Sequence, residues 1–85
     1  MKIKSRFAAA IVLWISQHAP VAVVREWAIH RWVNWAIRNN VHIMGIYRPV
    51  QNALRVNIVE ARRYIKRHND NLNLIGEGRP GLWKN

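Results

Sequence analysis

Residues 41–57 read VHIMGIYRPVQNALRVN, and the architecture turns on whether they form strands or a helix. Val41, Ile43, Ile46 and Tyr47 make the first part rich in β-branched and aromatic side chains, which suit a pleated, half-buried surface. Arg48 and Pro49 close that run, and Gln51 and Asn52 supply turn chemistry. Leu54, Arg55 and Val56 then read as the returning strand of a short β-hairpin. A second reading competes. With Val50 and Leu54 added to the apolar stripe that follows, a helix over residues 49–69 also satisfies the periodicity. The capping-box pattern of Asn57 and Glu60 favours the hairpin, because it starts the helix at residue 57. From there Ile58, Ala61 and Ile65 recur at steps of three and four with Tyr64 beside them. Arg62, Arg63, Lys66 and Arg67 cover the rest of that helix.

Upstream of this segment lie residues 26–40, EWAIHRWVNWAIRNN. At about 100° per residue they separate into two faces. Val24, Ala28, Ile29, Trp32, Val33, Trp35 and Ala36 fill a broad apolar arc. Glu26, His30, Asn34 and Arg38 form an outer ridge at four-residue steps, with Arg31 beside it. His, Asn and Arg can hydrogen-bond bases and phosphates, so this ridge over a Trp-rich anchor is read as a DNA-recognition helix. The propensities favour one helix over residues 20–39, with Pro20 suited to its first turn. Asn39 and Asn40 end it, since Asn tolerates the left-handed conformation at a helix C-terminus.

Further out, Lys2, Lys4 and Arg6 precede a nine-residue apolar run, residues 7–15. The run is too short to cross a bilayer, which takes about 20 apolar residues. It is followed by no small-x-small cleavage site. A helix capped by Ser5 and ending near Gln17, packed on the domain, is the expectation. At the other end, NLNLIGEGRPGLWKN holds three glycines and a proline and reads as a tail from Asp70 onward, pinned by Leu74, Ile75 or Trp83. The expected organisation is therefore an apolar helix over residues 1–17, a folded domain over residues 18–69 and an extended tail over residues 70–85.

The bulk composition narrows the function. Eighty-five residues make one small domain, and 51% apolar residues lift it above the disordered regime. The absence of cysteine excludes disulfides and thiolate metal sites and fits a reducing, cytoplasmic compartment. Fourteen Lys and Arg against four Asp and Glu give +10, a field that favours polyanions. Nucleic acid comes first among these, anionic membrane second and acidic protein third. The pattern of an enzyme is missing. Glu26, Glu60, Asp70 and Glu77 are scattered, and His18, His30, His42 and His68 lack metal-ligand spacing. Ser5 and Ser16 have no partner at nucleophile spacing, and no Gly-rich phosphate loop precedes a helix. No enzyme, cofactor or metal is expected. Among the tryptophans, Trp32 and Trp35 fit the core, whereas Trp27 lies nearest the polar ridge.

Two stretches carry a resemblance. Residues 54–67, LRVNIVEARRYIKR, resemble the wing-strand-into-helix signature of the excisionase and MerR-like class. Residues 37–49, IRNNVHIMGIYRP, resemble the recognition-helix end and following strand of phage Cox-type regulators. The resemblance covers residues 18–69, and its helix-helix and wing glycines are replaced by Asn39-Asn40 and Asn52-Ala53. It implies a mainly α fold, a small winged helix-turn-helix-like domain with a short β-hairpin, to which this chain adds an extra N-terminal helix that the family does not call for. It implies a transcriptional regulator or recombination directionality factor that binds double-stranded DNA cooperatively, as an oligomer on repeated sites. Arg31, Asn34 and Arg38 would then lie on the recognition helix and Arg48 and Arg55 at the wing. From the residues themselves, Arg62, Arg63, Lys66 and Arg67 are expected to hold phosphates. Two other readings stay open: a membrane-peripheral protein using the basic and apolar N-terminal segment, and a small inhibitor that binds a host protein through its Trp-rich helix.

Overall fold

The computed structural model describes residues 3–78. Four helices follow one another: α1 (Arg6–His18), α2 (Ala22–Arg38), α3 (Met44–Leu54) and α4 (Ile58–Leu74). No strand occurs among the described residues. The centre is α2, which packs against each of the other three helices. Its Ala28, Ile29, Val33, Ala36 and Ile37 are fully buried, and Trp32 nearly so.

The mainly α expectation agrees with this bundle, but the β-hairpin and the wing do not exist. Residues 44–54 are the helix α3 instead. Ile46, Val50 and Ala53 follow at steps of four and three, and all three are buried. A two-stranded hairpin is marginal alone and would bury only alternate side chains. A helix brings these three onto one line facing the core, so burial overrides the β-preference of Val41 to Tyr47. Pro49 lies inside α3 and gives no amide hydrogen to the helix. Its own carbonyl accepts a hydrogen bond from Gln17 Nε2 at 2.9 Å, tying α3 to the end of α1.

The helix ends follow the local chemistry. Ser5 caps α1 by accepting from the Ala8 amide at 3.1 Å. Asn57 caps α4 by accepting from the Glu60 amide at 2.9 Å. The α2 helix closes in a Schellman arrangement: Asn40 is left-handed (φ 61°) and the Val41 amide donates back to the Ala36 carbonyl at 2.9 Å. The α3 helix ends on Arg55, which is also left-handed (φ 56°). Between α1 and α2, buried Arg25 holds the turn. Its guanidinium donates to the Ala19 carbonyl at 2.8 Å and to the Ala53 carbonyl at 3.2 Å.

The C-terminal tail starts later than residue 70. α4 continues to Leu74, because Leu72 stays in phase with Ala61, Ile65 and His68 and is buried. Leu74 and Ile75, expected to pin the tail, are exposed. Trp83 lies outside the described residues.

Candidate nucleic-acid interface

The ridge of α2 that was expected to read bases is only partly open: Glu26 and His30 are exposed, and the other members are half-buried. Arg31 and Asn34 are half-buried, and the Arg31 guanidinium lies 5.2 Å from the Trp27 ring, one turn earlier. Arg38 is held by Glu77, its Nε donating to Oε2 at 2.7 Å. His30, though exposed, reaches His68 of α4 with its Nδ1. The three side chains Arg31, Asn34 and Arg38 thus share a helix face, but that face is only partly open.

The cations of α4 are placed differently. Ala61, Ile65, His68, Asn69 and Leu72 take the buried side of the helix. Arg62, Arg63, Lys66 and Arg67 are all exposed. They form two rows at i, i+4 spacing, 62 with 66 and 63 with 67, so their Cβ atoms lie about 5–6 Å apart within each row. Glu60 reaches Arg63 at 3.1 Å, but both side chains are open to water and the pair leaves the face strongly positive. Arg63 and Arg67 also line a groove of about 230 Å³ with Leu54, Val56, Glu60 and Tyr64. Arg55 is exposed in the three-residue turn that enters α4, and Arg48 is exposed on α3. With the wing gone, these two belong to α3 and its C-cap.

One constellation escaped the sequence reading. His30 of α2 and His68 of α4 meet at 2.9 Å between Nδ1 and Nε2, with their rings edge-on at 83°. Tyr64 leans over His68, the ring centroids 4.3 Å apart. His68 is buried, and its Nδ1 has no hydrogen-bond partner among the described residues. A bare lone pair is less costly to bury unpaired than an N–H, so Nε2 carries the hydrogen and donates to His30. Burial, then the charges of His30 and Arg67, lower His68 to about 4. His30 is lowered as well, by burial and then by Arg31. Tyr64 is pushed up to about 12 by burial and then by Glu26. No local spacing links residues 30 and 68. The available signal was the stripe Ala61, Ile65, Leu72, whose phase places His68 in the core. Among the described residues, no group of three or more His, Asp or Glu is arranged to hold a metal ion.

No family model, curated protein or solved structure matches the chain.

Proposed function

We propose that the chain is a small DNA-binding protein of the regulatory kind, and that it grips the duplex through the outward face of α4. One observation carries this reading. Arg62, Arg63, Lys66 and Arg67 stand in two parallel rows on a helix whose opposite face is locked into the core. Rows of cations on a rigid helix suit a line of phosphates, and Arg can take a phosphate oxygen pair bidentately. Arg55 extends the row across the turn. The half-buried Arg31, Asn34 and Arg38 are supports in this reading rather than base readers. The partner is double-stranded DNA, and the absence of cysteine suits a reducing compartment such as the cytoplasm.

The test is a salt titration of duplex binding by the wild type, Lys66→Ala, Arg67→Ala and Arg38→Ala. Each lost phosphate contact should reduce the slope of log K against log salt by about 0.9. Lys66→Ala and Arg67→Ala are each expected to show that drop on any duplex sequence, and Arg38→Ala is expected to leave the slope unchanged. Absence of wild-type binding near physiological salt, or an unchanged slope in both α4 variants, would remove the reading.

A further inference from the structure

We infer that the outward face of α1 docks on the surface of an anionic lipid bilayer, with the helix lying flat among the headgroups. Phe7, Ile11 and Trp14 follow at steps of four and three on one side of α1 and are 77%, 45% and 62% exposed. Ala10 is exposed beside them, while Ala9, Val12 and Ser16 take the buried side. No Lys, Arg, Asp or Glu occurs from position 7 to position 24, and the polar residue on this face is His18 at its C-terminal end. Trp14 is held in place by the His18 ring, stacked at 4.9 Å. A fixed aromatic ring on an apolar helix face suits the boundary between headgroups and acyl chains.

The charge around the face selects the occupant. Lys4 and Arg6 are exposed at the N-terminal end of α1, where the helix dipole is already positive and the first turn holds no acid. Both sources of positive potential attract an anion to the same end of the apolar stripe. The four acids of the chain, Glu26, Glu60, Asp70 and Glu77, all lie outside α1. A second copy would therefore bring like charge to like charge, in a chain whose net charge is already +10. Anionic headgroups supply what is missing. The length of α1 sets its posture. Thirteen residues extend about 20 Å, whereas the hydrocarbon core is about 30 Å thick. No helix among the described residues is long and apolar enough to cross a membrane.

Flotation of the full chain with vesicles of phosphatidylcholine, with and without phosphatidylglycerol, tests this. The wild type should float with the anionic vesicles and much less with the neutral ones. The pair Phe7→Ser and Trp14→Ser should lower partitioning about tenfold or more, and so should the pair Lys4→Gln and Arg6→Gln. Both pairs should keep the wild-type helix content by circular dichroism and the wild-type salt slope on duplex DNA, which separates this inference from the α4 reading. The pair Lys66→Gln and Arg67→Gln should float as the wild type does. The inference is overturned by a wild type that stays behind, or by α1 variants that float unchanged. Vesicle binding lost only in the α4 pair would also overturn it. So would a dimer that depends on Phe7 and Trp14 in the absence of flotation, which would assign the face to a second copy.

Discussion

Acidification should destabilise this bundle through one buried ring. His68 has an ordinary value of 6.5 and is lowered to about 4 in the fold, so the unfolded chain takes up its proton first. Between those two values the unfolded state binds more protons, and stability falls as pH falls. Above 6.5 the ring is neutral in both states and contributes no pH dependence. Below about 4 the loss is complete. At about 1.36 kcal/mol per pH unit, the full window from 6.5 to about 4 is worth about 3 kcal/mol. The geometry accounts for the size. A second hydrogen would have to go on His68 Nδ1, which is buried and finds no acceptor. His30, lowered in the same direction, adds to the effect. Urea unfolding of the wild type and His68→Gln at about pH 7.5 and about pH 5 measures it. The wild type should lose about 2 kcal/mol between the two, which is roughly 10 °C in Tm for a domain of this size. His68→Gln, less stable at neutral pH, should lose much less on acidification. Equal losses in the two proteins would refute the assignment of the effect to His68.

Three further outcomes follow from the helix ends and the buried guanidinium. Asn57→Ala removes the acceptor of the Glu60 amide and should lower stability by about 1 kcal/mol, read as a lower urea midpoint at constant slope. Arg25→Ala strips the donor from the Ala19 and Ala53 carbonyls and should cost about 2–3 kcal/mol. Arg25→Lys should recover less than about half of that, since an ammonium lacks the planar fork that serves two carbonyls. Arg55→Gly relieves a left-handed conformation at φ 56° and should raise stability by up to about 1 kcal/mol, measured by thermal melting. The same change should lower the salt slope on DNA. A destabilised Arg55→Gly would show that the arginine side chain itself holds the turn.

Much of the bundle was legible because its signals are local. Ser5, the Asn39-Asn40 stop and the Asn57 cap act within four residues of themselves, and each stands where its chemistry predicts. The phase of α2 was legible too, since Trp32 and Val33 fall on the buried side and Trp27 outside it. The error was α3. Valine, isoleucine and tyrosine prefer strands, and Pro49 opposes a helix interior. What decided the outcome was burial against the other three helices, a tertiary term that the segment does not carry alone. The same blindness misjudged the α2 ridge and missed the His30–His68 contact. The α2 ridge looked open because the sequence does not show Glu77 folding back to Arg38, or His68 rising to His30. The α4 cations were visible in advance, since a helix with one apolar stripe must expose the remainder.

The arrangement of the helices also bears on how the two proposed surfaces relate. α1 packs on α2 and α3, α4 packs on the same two helices, and no contact joins α1 to α4 among the described residues. The apolar face of α1 and the basic face of α4 are therefore separate surfaces on one core. Their partners are both anionic, yet they are held by different means: insertion of Phe7, Ile11 and Trp14 in one case, a grid of cations in the other. Substitutions on distant surfaces with no shared partners add to within about 0.5 kcal/mol. A protein carrying both the Phe7→Ser, Trp14→Ser pair and the Lys66→Gln, Arg67→Gln pair should therefore show the vesicle loss of the first and the DNA loss of the second, each unchanged in size. Bound vesicles should leave duplex affinity of the wild type intact. Competition between vesicles and duplex, or coupling above about 1 kcal/mol in the combined variant, would mean that one surface serves both anions, and the division between α1 and α4 would fall.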